Sequence, residues 1–196
     1  MNRNIKKTLG RIYWRVRYIY KFIIINHKFR KVGLKSEIRK PLRVCGGKSI
    51  CIGDRCFIMD GIRIEAVIYW GGVKMYAPEI YIKDDVQIQQ NCHITCANHI
   101  SIGEGSCILP HVLITDIEHE HFPDKSPAQT GLLTGGVTIG KYVSIGMGAR
   151  IIGKKPIVIG DNAVIGTNAV VTKDVPEGAV MAGIPAEIIG WNKGRA

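Results

Sequence analysis

An aliphatic residue returns at every sixth position through most of this chain, in five runs of three. The runs are Ile52, Ile58, Ile64; Ile82, Ile88, Ile94; Ile102, Ile108, Ile114; Ile139, Ile145, Ile151; and Ile159, Ile165, Val171. Two positions ahead of each stands a second, often smaller residue, such as Ile50, Cys56 and Ile62 in the first run and Ile157, Ala163 and Ala169 in the last. Alternation over two residues fits a short strand with one face turned inward. Pairs such as Gly53-Asp54, Gly103-Glu104 and Gly160-Asp161 turn the chain before the next strand. Three strand-and-turn units close a triangular coil, and parallel hydrogen bonding stacks the coils into a three-sided prism with an isoleucine core. No coil buries its apolar face alone, so the stack folds as one body. A sandwich of ordinary hairpins does not hold a six-residue register through five runs, and the all-β solenoid is the better expectation.

The repeat is interrupted at defined places. Eight residues separate Ile94 from Ile102 and Ile151 from Ile159, so two residues bulge at each. Twelve extra residues lie between Ile64 and Ile82, and nineteen between Ile114 and Ile139. These excursions, loops 66–79 and 115–136, leave a rigid scaffold, which is where function tends to be carried.

The first 43 residues read differently. Ile5, Leu9, Ile12, Val16, Ile19 and Ile23 make a helical stripe. Fourteen of the 27 Lys and Arg lie in residues 1–43 with one acid, Glu37, a net +13; the other 13 basic and 15 acidic residues sum to −2. The expected organisation is a basic amphipathic helical arm over 1–43, a β-helical domain over 44–190 and a tail over 191–196. The arm suits either an anionic membrane surface, contacted through residues 1–33, or packing on the prism or a neighbouring subunit. The body offers no basic groove or reading module, so nucleic acid is not expected. The longest apolar run in the N-terminal region, Phe22 to Ile25, is far short of a membrane span. Six scattered cysteines with no secretory signal suggest free thiols in a reducing compartment. A cytoplasmic protein, peripheral at the inner membrane surface through its arm, is the expectation.

Histidine is the natural general base near neutral pH. Of the six, His93 and His99 flank repeat positions and face outward, while His119 and His121 lie in the longest excursion with Asp116 and Glu118 nearby in sequence. Either acid has the chemistry to orient an imidazole. Cys56, Cys92 and Cys107 fall on or beside inward positions, and the cysteines show no metal-ligand spacing.

The isoleucine hexapeptides, the excursion carrying His119 and the closing run "IGDNAVIGTNAVVTKDVPEGAVMAGIPAEII" resemble the hexapeptide-repeat acyltransferases over residues 44–190. Within that superfamily the chain is most similar to the maltose, galactoside and nodulation acetyltransferases and their relatives that O-acetylate capsular or lipopolysaccharide sugars. The resemblance implies a left-handed parallel β-helix, a homotrimer with active sites between subunits, and acetyl-CoA as acyl donor without a metal. It implies transfer of acetyl to a sugar hydroxyl of a cell-surface polysaccharide or its precursor. "SIGEGSCILPHVLITDIEH" matches the family segment without a gap and places the catalytic histidine at His119; Asp116 is its expected catalytic partner, with Glu118 the other acid able to orient the ring. The turn at Gly146-Met147 matches the position whose backbone N–H groups meet the thioester oxyanion. Gln89, with Asn91 beside it, falls where relatives place a polar residue near the acceptor. Thr167, Thr172 and Lys173 match the lining of the CoA channel, Lys173 toward a phosphate, and Gly183 and Ala186 border its end. Two positions depart: Ser144 stands where many relatives have Trp, and Glu187 where some carry a basic residue; Lys154 and Lys155 in the bulge either supply that charge or, the favoured reading, belong to a simply solvated bulge. Two other functions share such a fold, a non-catalytic scaffold and a zinc carbonic anhydrase; the latter needs a histidine spacing that His93 and His99 miss by one.

Overall fold

The computed structural model describes residues 25–192 apart from 72 and 75, with main chain alone at 73 and 74. The helical stripe from Ile5 to Ile23, and most of the segment expected to meet a membrane, lie outside the described residues.

Each hexapeptide supplies a strand of two to four residues, and successive strands enter three different sheets in turn. The first face stacks Lys31–Val32, Ile50–Ile52, Glu79–Ile82, His99–Ile102, Gly136–Ile139 and Pro156–Ile159. The second stacks Glu37–Ile38, Phe57–Ile58, Gln87–Ile88, Cys107–Ile108, Ser144–Ile145 and Val164–Ile165, and Ala179–Gly183 and Ala186–Trp191 extend it as a closing hairpin. The third stacks Arg43–Cys45, Arg63–Ala66, His93–Cys96, Leu113–Thr115, Arg150–Ile152 and Val170–Val171. Every pairing between coils is parallel and in register, so Ile52 sits on Ile82, Ile82 on Ile102, Ile102 on Ile139 and Ile139 on Ile159. All the repeat positions, and all those two residues ahead of them, are buried.

Where that second position is polar, it serves the stack as well. Ser36 and Ser106 donate to the carbonyls of Gly53 and Gly140 on the next coil and accept the N–H of Cys56 and Val143 there. Cys56 and Cys92 do the same with their thiols, toward Lys83 O and Leu109 O. Burial pushes Cys56 up and Cys92 to about 11, so these thiols stay protonated at neutral pH.

Two boundaries differ from the sequence expectation. The prism begins at Lys31 rather than after Arg43: Val32, Ile38 and Val44 form a further coil, paired in parallel with the next on all three faces. Its second positions are Arg30, Ser36 and Leu42, of which only Ser36 is buried, so the coil lacks half of the repeat signature. An end coil needs to cover its neighbour on one side only, and capping units are atypical for that reason. At the other end the strand Ala186–Trp191 runs into the expected tail, and Asn192 N–H donates to Gly178 O.

Both excursions leave the corner between the third and first faces, and neither is irregular throughout. The first holds the antiparallel pair Tyr69–Trp70 and Val73–Lys74. The second holds Ile117–His119 paired antiparallel with Leu132–Thr134.

Candidate active site

His119 ends the outgoing strand of the second excursion, opposite Leu132. Several contacts fix that short hairpin to the prism and to the first excursion. Trp70 Nε1 donates to Thr130 O at 3.0 Å, and Tyr76 Oη accepts Leu132 N–H at 2.9 Å. Thr130 Oγ1 donates to Glu120 O, and Asn98 Nδ2 donates to Gly135 O. The Trp70 ring lies 4.8 Å from the His119 imidazole, tilted by 55°. The imidazole is half-buried, and its Nδ1 is buried with no hydrogen-bond partner among the described residues.

Asp116 does not orient this ring. It is fully buried, and its carboxylate accepts the N–H groups of Ala97, Asn98 and His99 at 2.7–2.9 Å. The Cys96 thiol approaches the same group, and burial and that charge push its pKa up. These four residues carry the chain from the third face to the first, across the two-residue bulge after Ile94. A corner that departs from the repeat leaves its N–H groups without ladder partners, and a buried carboxylate supplies them. Glu118 is turned the other way, toward His121 at 3.8 Å. Neither acid near His119 in sequence is its partner; packing on Trp70 and the main-chain register hold the ring.

His119 and Trp70 border a cleft of about 430 Å³ over the third face, with Tyr69, Thr95, Arg43, Arg63 and Glu65 also in its wall. Glu65 is 6% exposed and lies between Arg43 Nε at 2.6 Å and Arg63 Nε at 2.5 Å. Burial alone would raise its pKa, but the hydrogen bond and charge of Arg63 and the charge of Arg43 outweigh it, and the carboxyl is held below its usual range. His93, 3.4 Å from Glu65, shares a 2.5 Å hydrogen bond with Thr95; burial and the Arg63 charge lower its pKa.

The remaining candidates stand elsewhere. Gln89, Asn91, Gly146, Met147 and Thr167 all lie on the corner between the second and third faces, and none of them lines the cleft. Of the Gly146-Met147 pair only one N–H is available to an oxyanion. Gly146 N–H donates to Ile165 O at 2.7 Å, so the sequence expectation fails for that group; Met147 N–H has no acceptor among the described residues. Gly146 itself is required by close stacking, since a Cβ there would sit 2.6 Å from Thr167 N. Thr172 and Lys173 follow the last third-face strand, on the corner from which His119 departs. Lys173 Nζ is held by both oxygens of Glu187 at 2.8 and 2.9 Å, so its charge is neutralised in place. Gly183 is exposed at the closing turn, whereas Ala186 is buried and its methyl faces the core, which removes it as a side-chain contact for CoA. Among the described residues no three His, Cys, Asp or Glu gather as a metal site.

Trp70 and Glu65 were not among the sequence candidates. Trp70 lies within an excursion where periodicity stops, and Glu65 occupies an outward strand position that the repeat leaves unconstrained. The proximity of two arginines two residues and one coil away was the only available signal for Glu65.

No family profile matches the chain. Individual proteins do. WbbJ of Escherichia coli, named as a lipopolysaccharide biosynthesis O-acetyl transferase, is 31% identical over 160 residues, 78% of this chain and 76% of that protein. The crystal structure of a hexapeptide-repeat-containing acetyltransferase from Vibrio cholerae superposes with a TM-score of 0.62 at 21% identity, covering 97% of this chain and 92% of the other. A galactoside acetyltransferase in complex with coenzyme A gives 0.58 at 24% identity, over 86% and 68%. The two structures agree with the stacked three-sided coils described above. The chain belongs to the hexapeptide-repeat acetyltransferase family.

Proposed function

We propose that this protein transfers acetyl from acetyl-CoA to a hydroxyl of a sugar in a cell-surface polysaccharide or its precursor, with His119 as general base. The observation that carries this is the placement of His119: a half-buried imidazole on a braced hairpin, at the wall of a cleft large enough for a sugar. The acceptor O–H gives its proton to the imidazole as the oxygen attacks the thioester carbonyl. The carbonyl oxygen gains negative charge, for which the Met147 N–H of a neighbouring copy is a fixed donor. The C–S bond then breaks, the thiolate leaves as CoA with the proton, and the acetyl ester remains. A thioester is activated already, so holding both reactants in line is sufficient and no enzyme-bound acyl group forms.

The division of candidates between two corners supports an assembly in which a second copy completes the site. One prism carries His119 at one edge of its third face and Met147, Gln89 and Thr167 at the other. In a closed ring of three, each chain meets the next through two different surfaces, and a homotrimer that joins these two edges completes the site. WbbJ's name points to lipopolysaccharide, and the charge of residues 1–43 supports a membrane-proximal acceptor and a cytoplasmic, peripheral location.

The test is acceptor-dependent release of CoA from acetyl-CoA across free sugars, nucleotide sugars and lipid-linked oligosaccharides, with the product mapped by mass spectrometry. An acetyl ester on at least one sugar is expected. Transfer confined to amines, or no acceptor-dependent release across the panel, contradicts the reading.

The Lys173–Glu187 pair makes a separate expectation. Glu187→Lys frees one cation and adds another at the proposed CoA channel. The KM for acetyl-CoA should fall about two- to fivefold, the scale of an exposed charge interaction, with kcat unchanged. An unchanged KM would place the CoA phosphates elsewhere.

A further inference from the structure

Glu65 needs one cation to offset its burial and has two. Arg43 and Arg63 occupy paired positions on adjacent strands, and Cys45 pairs with Glu65 beside them. Each guanidinium engages the carboxylate through Nε, and no hydrogen bond from either Nη group is made within the described residues. Both side chains remain about half exposed, 61% and 46%, at the wall of the cleft that holds His119. The cluster therefore carries one excess positive charge. His93 adds no fixed charge, since burial and Arg63 favour its neutral form. A planar guanidinium held by Nε keeps its outer N–H pair aimed in one direction, which suits bidentate capture of phosphate or carboxylate oxygens. The buried carboxylate fixes that aim before any ligand arrives.

Resting on the acetyltransferase reading of the cleft, we infer that Arg43 and Arg63 bind an anionic group on the acceptor, a phosphate or a carboxylate, so that the substrate is an acidic sugar rather than a neutral one. Trp70 and Tyr69 in the same wall offer apolar ring surface to a pyranose. The anion at the arginines and the ring against the indole would leave a hydroxyl toward His119. The arginines fix which sugars enter; they take no part in proton transfer.

Cys45 provides a readout that needs no turnover, because its exposed thiol lines the cleft. The probes are glucose 1-phosphate, glucuronic acid and glucose, and the measurement is the rate of Cys45 modification by N-ethylmaleimide, followed on its peptide by mass spectrometry. At saturation, glucose 1-phosphate or glucuronic acid should slow modification at least about threefold, by linkage to the bound state, while glucose does not. The two acidic probes distinguish a phosphate from a carboxylate source. Protection should vanish in Arg63→Gln. Since that change strands a buried carboxylate, the matched double variant Arg63→Gln/Glu65→Gln is made beside it; it keeps the charge balance and should also lose protection. Equal protection by glucose, no protection by either acidic sugar, or full protection surviving in the double variant overturns the inference. Transfer to neutral sugars without anion protection would leave the acetyltransferase reading standing and this inference lost. Protection without transfer to any sugar would do the reverse.

Discussion

His119→Ala lowers acetyl transfer at least ~10²-fold, the usual contribution of a positioned general base, while the oligomer stays as in the parent protein and the melting temperature falls by only about 2–4 °C. The separation of the two effects follows from how the hairpin is held. Its strands pair through main chain, its far end through Thr130 and Glu120, and its contact with the first excursion through Trp70 and Tyr76. The His119 side chain makes none of these bonds; it loses only its packing on the Trp70 ring, on the order of 1 kcal/mol. Steady-state rates with a saturating acceptor, beside a thermal melt, check both halves. Turnover equal to the parent's would remove His119 from the chemistry.

Asp116→Ala gives the opposite pattern, a loss of stability that leads any loss of rate. Three main-chain N–H groups lose their acceptor, the fully buried Asp116 carboxylate, and the Cys96 thiol keeps only Glu79 O. Stranding buried donors costs about 1–3 kcal/mol each and is not additive, so a total of about 3–5 kcal/mol is expected. For a chain of this length that corresponds to a fall in Tm on the order of 10 °C. Asp116→Asn keeps one acceptor oxygen and should fall between the two. The sequence expectation, in which Asp116 orients the base, predicts instead an unchanged melt with a lowered kcat. Thermal denaturation of the two variants decides between these roles.

The prism was legible because its rule is simple: one side chain in six must fill a fixed interior, and every such residue from Ile52 to Val171 does so. The first coil escaped because it has only one neighbouring coil to satisfy, and Arg30 and Leu42 stand where inner coils place small apolar residues. The site was harder to read for a different reason. Excursions obey no period, so proximity along the chain was the only guide to partners. It suggested Asp116 or Glu118 for His119, when the first carboxylate instead reaches back to residues 97–99 on the preceding turn and the second turns toward His121. It gave no hint of Trp70, which meets the imidazole from the other excursion. Gly146 illustrates a third limit. A motif locates a turn, but only the hydrogen-bond ladder shows that one of its two N–H groups is already used.

The proposed site is assembled from opposite edges of two copies, the imidazole from one and the oxyanion donor from the next. Co-expression of His119→Ala with Met147→Pro tests this directly. The second change deletes an N–H that bonds to nothing among the described residues, so it removes the donor without breaking the ladder. Each variant alone is expected to be nearly inactive. In randomly mixed trimers about one site in four would pair an intact His119 with an intact Met147 from the adjacent chain, and activity should return to about a quarter of the parent's. Mixed assemblies no more active than either variant alone would contradict the shared site.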